Sequence, residues 1–198
     1  LLCFYKKNFN RKQYKHFRNL ITGLIVSDNK TIQEINDCFG TTDQSSMNRF
    51  LTKSKWDFES INDARISQIV SACPLGQGIL ICDPTLLHKT GTHMEKVNYH
   101  YSGITKKKEL GHLLVNSFYT DNKGNSFPVR SDIYLRELDA DEKHIFKTSR
   151  EICIEQLDYA LSKLSIWLFM ADAGLYADFV IQEVKERGLR YVIGVRIT

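Results

Sequence analysis

The sequence lacks any long hydrophobic run and any close pair of cysteines. No apolar stretch approaches the roughly 20 residues of a membrane span, and the N-terminal residues turn basic too soon for a signal peptide. The five cysteines are spread along the chain without a Cys-x-x-Cys pair, which argues against a disulfide framework or a cysteine zinc site. We therefore predict a cytoplasmic protein with no membrane partner, whose cysteines are buried as small apolar side chains.

Acidic residues are missing from the first twenty positions, which carry six Lys and Arg. Residues 1–75 hold 11 Lys and Arg against 7 Asp and Glu, whereas residues 76–198 hold 16 of each, so the excess positive charge is N-terminal. Aromatic residues are interleaved with the first six cations, a composition that suits a phosphate backbone. A solvated helix face with its aromatic side chains in a core explains the same pattern.

Helical signals run through the rest of the N-terminal region. Thr31 and Glu34 have the spacing of a capping box, Gly40 ends the helix that follows, and Asp43 can begin the next helix. Two helices joined by a short turn have the form of a DNA-binding helix-turn-helix, although any small helical bundle gives the same pattern. The signal therefore leaves both interpretations open.

A composition change divides the chain. The sequence Pro-Leu-Gly-Gln-Gly at residues 74–78 is typical of a linker, and strand patterns begin after it. We predict a helical, basic, DNA-binding domain over residues 1–75 and an α/β domain over residues 76–198.

The α/β domain contains two unbroken apolar runs, each followed by a carboxylate. Asp83 follows residues 79–82, and Asp172 follows residues 166–171. Such runs predict strands covered on both faces, and a carboxylate that ends one is costly unless it meets water, a partner or a metal. Either Asp alone can simply begin a turn. The pair together favours a functional site at the ends of two strands.

The remaining periodicity predicts the element order β-β-β-α-β-α-β. The second strand covers residues 113–119, and the third returns as a hairpin after a turn at residues 121–125. A long helix capped by Asp139 or Asp141 precedes the fourth strand. A helix over about residues 178–187 precedes the fifth strand, which ends the chain.

This order, with an acid on the first strand and another on the fourth, resembles the ribonuclease H-like fold. Three local sequences resemble the DDE-type transposases of bacterial and archaeal insertion sequences: Ile-Cys-Asp-Pro-Thr at 81–85, Gly-His at 111–112 and Ala-Asp-Ala-Gly-Leu-Tyr at 171–176. Residues 47–51 resemble the helical region before the catalytic core of this family. The resemblance implies that the first and fourth strands are neighbours, so that Asp83 and Asp172 meet at one metal site.

The chain departs from the family in two ways. Pro84 stands where many relatives carry a second Asp, so the catalytic role is carried over to Asp83 and Asp172 alone. No Glu of the family's Tyr-x-x-Arg-x-x-x-Glu pattern lies between Asp172 and Thr198. We therefore expect a catalytic core that is truncated before its third acid and is inactive by itself. The alternative is an inactive transposase remnant that only binds DNA.

The resemblance implies metal-dependent cleavage and strand transfer of double-stranded DNA, at insertion-sequence ends and target, by a homodimer at the nucleoid. Two Mg²⁺ or Mn²⁺ ions held by Asp83 and Asp172 would stabilise charge on the attacking and leaving oxygens. The predicted DNA-phosphate contacts are Lys12, Lys15, Arg18, Arg49, Lys53, Lys89, Lys106, Lys107 and Lys108.

Two other classes of site fit the sequence less well. The spacings of four histidines match no familiar zinc pattern, so phosphate or backbone contacts are expected for them instead. These residues are His88, His93, His100 and His112. A nucleotide-binding enzyme usually has a Gly-rich loop after its first strand, whereas residues 83–87 read Asp-Pro-Thr-Leu-Leu.

Overall fold

The N-terminal part of the chain is helical and the C-terminal part contains a single described sheet. The structure is a computed structural model that describes residues 2–39, 43–140 and 145–195. It divides into two units, Leu1–Ser71 and Ala72–Thr198. Within the described residues, no helix combines the length and the apolar character of a membrane span. The DNA-binding and catalytic roles expected on either side of residue 75 stay predictions.

A 3-10 helix at Leu2–Asn8 and four α-helices build the N-terminal unit. The α-helices are α1 Arg11–Val26, α2 Ile32–Phe39, α3 Gln44–Lys53 and α4 Phe58–Ala72. Their first residues are set by side-chain caps. Thr31 Oγ1 accepts the Glu34 N–H at 3.2 Å, and the Asp43 carboxylate accepts the Ser46 N–H. Gly40, the expected end of α2, lies outside the described residues.

Aromatic side chains form the core of this unit. Tyr5, Phe17 and Phe50 are buried, and the Phe9 ring stacks on Phe17 with a centroid distance of 4.6 Å. Trp56 stacks on Phe50 at 4.7 Å. Most of the aromatic residues that alternate with the N-terminal cations therefore pack inward, which is the core interpretation of that segment, whereas Phe4 is exposed. The buried rings are not free to stack on nucleobases.

Six strands form one mixed sheet in the C-terminal unit. They are β1 Gly78–His88, β2 Asn98–Tyr101, β3 Lys108–Asp121, β4 Ser126–Ile133, β5 Ile166–Ala171 and β6 Arg190–Ile193. The order across the sheet is β2-β3-β1-β5-β6, and β4 pairs with β3 as well. Strand β1 is antiparallel to β3 and parallel to β5. The mixed sheet confirms the predicted ribonuclease H-like class, and the first and fourth predicted strands are neighbours.

Strand β1 differs from the prediction in its length. It continues to His88, so Asp83 lies within the strand and does not end it. The apolar run stops at Cys82 because the pairing with β5 stops there, at the pair Cys82 and Ala171. Beyond that point β1 keeps β3 as a neighbour along the rest of its length, and polar side chains are tolerated.

Strand β2 is absent from the predicted order. Its four residues are too short to give a clear alternation in the sequence. The strand exists because β3 extends back to Lys108, beyond its predicted start at residue 113, and pairs there with Asn98–Tyr101. Four strands therefore precede the first helix of this unit.

The first helix of the sheet unit begins later than predicted. Helix α5 covers Ser149–Leu161, and Thr148 forms a capping box with Glu151. Asp139 lies in a short 3-10 helix, and Asp141 lies outside the described residues. The Thr-x-x-Glu capping signal at residues 148–151, and not Asp139 or Asp141, therefore marks the start of this helix. Helix α6, Asp178–Glu186, begins where the sequence predicts.

Helix α5 covers one face of the sheet. Leu80, Cys82 and Val115 are fully buried on this face, and the buried Gln156 donates from Nε2 to the Val115 carbonyl at 2.8 Å. Cys153 of α5 is buried beside Cys82, and hydrogen bonding between the two thiols, with burial, raises the pKa of Cys82. The predicted burial of all cysteines is wrong, however, for two exposed residues, Cys3 and Cys38.

Asp121 ties the segment before β1 to the β3–β4 turn. Its carboxylate accepts the Gly76 N–H at 2.7 Å and the Asn125 N–H at 3.0 Å. Partial burial raises the pKa of Asp121, but these hydrogen bonds together have the larger effect and hold the pKa well below its ordinary value. The Tyr119 hydroxyl donates to the Gly76 carbonyl at 2.6 Å. These bonds fix the point at which the polypeptide enters the sheet.

Candidate active site

The parallel pairing of β1 and β5 brings the two predicted catalytic acids to adjacent positions. Cys82 pairs with Ala171 in the last register position, so Asp83 is the next residue of β1 and Asp172 directly follows the end of β5. Both carboxylates are exposed. Successive residues of a strand project from opposite faces of a sheet. Asp83 therefore lies on the face opposite Cys82, which we call the acid face, defined by Ile81, Asp83, Thr85, Asn116 and Phe118.

A chain of hydrogen bonds supports Asp83 on the acid face. The Thr85 hydroxyl donates to Asp83 Oδ2 at 3.2 Å, and Asn116 Nδ2 donates to Thr85 Oγ1 at 3.1 Å. The Ser131 hydroxyl donates in turn to Asn116 Oδ1 at 2.6 Å. Three strands therefore contribute to the orientation of one carboxylate, and no described hydrogen bond within residues 2–39, 43–140 and 145–195 uses its Oδ1 atom.

Asp172 is oriented by the turn that follows it. Its Oδ2 atom accepts the Gly174 N–H at 3.0 Å and caps the 3-10 helix Ala173–Leu175. A cavity of about 290 Å³ lies beside this turn and is lined partly by Arg150. Arg150 Nε donates to the Tyr176 carbonyl at 3.2 Å. The guanidinium is a cation in the neighbourhood of Asp172 that sequence reasoning did not identify.

The charges at the acid pair are uncompensated within the described part of the chain. In residues 2–39, 43–140 and 145–195, neither Asp83 nor Asp172 forms an ion pair, and each described hydrogen bond uses only Oδ2. Two adjacent carboxylates repel each other unless a cation lies between them. Carboxylate oxygens are the ligands that Mg²⁺ prefers, and one or two suffice when substrate phosphates complete the shell. The residues therefore fit a divalent cation.

A third acidic ligand is not found at this site in the described residues. Over those residues, no cluster of three or more His, Cys, Asp or Glu side chains has metal-binding geometry. Glu183 instead accepts from Arg187 Nη1 at 2.6 Å on helix α6. The four histidines considered for a zinc site do not form a described metal cluster either. His112 Nε2 contacts the Glu95 carbonyl at 2.9 Å, and His100 is buried against Tyr134.

Three of the predicted DNA contacts line one cleft of the helical unit. Lys12 of α1 and Arg49 and Lys53 of α3 line a cleft of about 320 Å³. His16 also lines it, and burial, together with the neighbouring Lys15, lowers the pKa of His16. The imidazole is therefore neutral at pH 7, and the positive charge of the cleft comes from Lys12, Arg49 and Lys53. Cations from two helices therefore line a cleft that is large enough for a phosphate group.

The other predicted contacts fall into two groups. Lys15 and Arg18 lie on α1 but do not line the cleft. Lys89 follows β1, and its N–H donates to the Leu110 carbonyl at 2.8 Å. Residues 106–108 are exposed at the turn between β2 and β3. The predicted contacts of the sheet unit, Lys89 and Lys106–Lys108, thus lie toward the β2 end of the sheet, away from Asp83 along the strands.

Sequence reasoning missed the polar residues around Asp83. Because the predicted strand ended at Asp83, no alternation of exposed and buried residues was expected beyond that point. The roles of Thr85, Asn116 and Ser131 were therefore not recognised. Once β1 is extended, Asp83 and Thr85 show the period of two that is typical of one strand face. That alternation was the available signal. Asn116 and Ser131 had no local signal, since only strand pairing places them beside Thr85.

Comparisons with known proteins identify the family of this chain. A family model described as DDE superfamily endonuclease matches residues 3–198. The chain therefore belongs to the DDE superfamily endonuclease family. It is 29% identical over 191 residues to the probable transposase for insertion sequence element IS701 of Microchaete diplosiphon. This match covers 93% of the chain and 50% of the relative, and it confirms the resemblance to insertion-sequence transposases.

A solved structure is also similar over much of the chain. The crystal structure of a pre-cleavage Mos1 transpososome aligns with 92% of this chain and 60% of that chain, at 10% sequence identity and a TM-score of 0.26. The chain spans about half the length of the curated relative that it matches. The activity of the whole protein is therefore proposed below.

Proposed function

We propose that this chain forms part of a transposase that cleaves and transfers DNA strands with divalent metal ions. The observation that carries the proposal is the pairing of β1 with β5, which sets Asp83 and Asp172 side by side with no cation partner in the described residues. Family membership makes a phosphodiester the expected substrate. The DNA substrates are the ends of the element and the target, and a homodimer would bring two ends together.

Different hydrogen bonds orient the two carboxylates that would bind the metal ions. Asp83, held by Thr85, and Asp172, held by the Gly174 N–H, would hold the Mg²⁺ or Mn²⁺ ions between them. When bound, the ions would supply charge stabilisation for the attacking and leaving oxygens of the phosphodiester. Both carboxylates are exposed, so a DNA strand would have access to them. Arg150 is a further cation for a phosphate near Asp172.

Removal of the metal gives the first test of this proposal. We expect the chain to bind Mn²⁺ in a titration followed by electron paramagnetic resonance, and EDTA to reverse the binding. Duplex DNA should tighten the binding, because phosphate oxygens complete the coordination shell. An absence of bound Mn²⁺ at millimolar concentration, with or without DNA, would contradict the metal site. DNA binding without metal binding would identify the inactive remnant.

We propose that the cleft between α1 and α3 binds a phosphate segment of DNA. Lys12, Arg49 and Lys53 line it, and all three are exposed. Among the described residues, no Phe, Tyr or Trp side chain except Phe50 lines the cleft, and Phe50 is 2% exposed, so the expected contact is electrostatic and independent of base sequence.

The salt dependence of DNA binding tests the cleft. Each phosphate contact contributes about −0.9 to the slope of log affinity against log salt concentration. Replacing Lys12, Arg49 and Lys53 by Ala should therefore make the slope shallower by roughly 3. The measurement is fluorescence anisotropy of a labelled duplex from 50 to 300 mM salt.

A charge-matched variant controls for the general loss of positive charge. Lys6, Lys7 and Lys55 belong to the same unit, are exposed and do not line the cleft. Their replacement by Ala should change the slope by less than about 1. Equal slopes for the two triple variants would show that the cleft is not a specific phosphate site. A flat salt dependence of the unmodified chain would remove the electrostatic contact altogether.

A further inference from the structure

Two exposed tyrosines stand on the edge strand that the sequence did not predict. Tyr99 and Tyr101 of β2 are 61% and 63% exposed, far more than most aromatic side chains of the described residues. They are two residues apart on one strand, so their side chains project from the same face about 7 Å apart. Contiguous exposed apolar surface is a feature of binding sites.

The opposite side of β2 is firmly held. His100 is buried, and its ring lies 6.0 Å from the Tyr134 ring in an edge-on arrangement. Asn98 Nδ2 donates to Asp139 Oδ2 at 2.6 Å, and Lys96 Nζ donates to the Asp139 carbonyl at 2.9 Å. The alternate residues of the strand therefore anchor it. Tyr99 and Tyr101 are left on a rigid support, which lowers the entropy lost when a ligand binds.

The tyrosines project from the same face of the sheet as the catalytic acids. Asn116 is the β3 partner of Asp83, and Leu110 is the β3 partner of Tyr99. Residues 110 and 116 are six positions apart on a continuous strand, so their side chains share one face. At about 3.4 Å per residue, Tyr99 lies roughly 20 Å from Asp83 along the sheet. The acid face thus extends to the tyrosines.

Positive charge borders the tyrosine pair. Lys108 is the β3 partner of Tyr101 and shares its face, and Lys106 and Lys107 are exposed in the preceding turn. The Ser102 N–H donates to the Lys107 carbonyl at 2.8 Å, and this bond closes the turn. Glu109, the acid of this segment, is paired with His100 and lies on the opposite face. The exposed rings of Tyr99 and Tyr101 therefore lie beside lysine side chains, and the carboxylate of Glu109 is not on their face of the strand.

We propose that Tyr99 and Tyr101 stack on nucleobases of an unpaired DNA strand that leads to the acid pair, with Lys106–Lys108 contacting its phosphates. Aromatic side chains and a basic groove are the general means of binding single-stranded DNA. The two tyrosines are attached about 7 Å apart along β2, twice the 3.4 Å step between bases, which leaves room for one base between parallel rings. Bases in a duplex have their faces already occupied. The proposal deepens the proposed function, on which it rests for the identity of the ligand.

The test compares three forms of the full chain: unmodified, Tyr99→Leu with Tyr101→Leu, and Tyr99→Phe with Tyr101→Phe. Binding of a single-stranded oligonucleotide that contains 2-aminopurine reports both affinity and stacking, because stacking quenches its fluorescence. The Leu variant should lose affinity by about five- to 150-fold for each stacked base, and lose the quenching. The Phe variant keeps both rings and should match the unmodified chain within about twofold.

Duplex binding and thermal unfolding complete the design. Both variants should bind a duplex and unfold as the unmodified chain does, since the altered side chains are exposed. Unchanged affinity and quenching in the Leu variant would overturn the proposal while leaving the metal test of Asp83 and Asp172 intact. Conversely, loss of metal binding would remove the proposed function without altering the quenching. Concentration-dependent dimerisation that the Leu variant abolishes would assign the tyrosines to a second copy of this chain and overturn DNA stacking.

Discussion

Asp83→Asn is expected to lower metal-dependent DNA cleavage by about a thousandfold or more. The variant keeps an oxygen that can accept the Thr85 hydrogen bond, but it removes the charge that would hold the metal. Several kcal/mol of transition-state stabilisation depend on such an ion, and each 1.36 kcal/mol is a factor of about ten in rate. Nicking of supercoiled plasmid with Mg²⁺ or Mn²⁺ measures the effect. The assay is run on the 198-residue chain and, in parallel, on a version of it extended to include a third acid.

The matched comparison uses two other carboxylates. Asp172→Asn should give a loss of similar size, and the double variant should be little worse than either single variant, because both residues serve one site. Asp178→Asn removes an exposed acid six residues after Asp172, at the start of α6. It should leave cleavage within about twofold. Cleavage that survives Asp83→Asn would show that the acid pair is not catalytic, whatever the other variants do.

Phe17→Ala is expected to destabilise the helical unit by about 3–5 kcal/mol. Phe17 is only 6% exposed and packs against the rings of Phe9 and Tyr5, at centroid distances of 4.6 and 5.3 Å. A cavity in the core of a unit this small removes much of its stability. Urea unfolding followed by circular dichroism measures the loss.

Arg18→Ala is the control for Phe17→Ala, because it alters the next residue of the same helix. Arg18 is exposed, so its removal should change stability by less than about 0.5 kcal/mol and lower DNA affinity instead. The pair of variants separates the two interpretations of the basic and aromatic segment. A Phe17→Ala protein that folds normally but loses DNA binding would instead favour a direct role of these aromatic residues in DNA binding.

Local signals in the sequence were sufficient for much of the architecture. The change of composition at residues 74–78 separates helices from strands, and the apolar runs before Asp83 and Asp172 locate β1 and β5. Helix starts were predicted well where a capping side chain was considered, as at Asp43. Helix α5 was misplaced because Thr148 was overlooked, although its capping box was present in the sequence.

Long-range pairing accounts for the elements that were missed or misjudged. Strand β2 is too short to show a pattern by itself, and it forms because β3 offers an unpaired edge. The end of β1 at His88 depends on β3 in the same way. Tyr99 and Tyr101 could not be recognised as an exposed pair until their strand was known. The exposure of Cys3 and Cys38 likewise depends on packing that composition does not report.

The sequence by itself determined the two acids, the excess N-terminal charge and the succession of elements, because these follow from residue type and local periodicity. The tertiary structure decided which of these residues meet. Parallel pairing of β1 with β5 set Asp83 beside Asp172, although 88 positions separate them in the sequence. Pairing across β3 then set Asn116 and the tyrosines of β2 on the same face. Such neighbours are chosen by hydrogen bonding and burial between distant segments, which no local pattern of residues encodes.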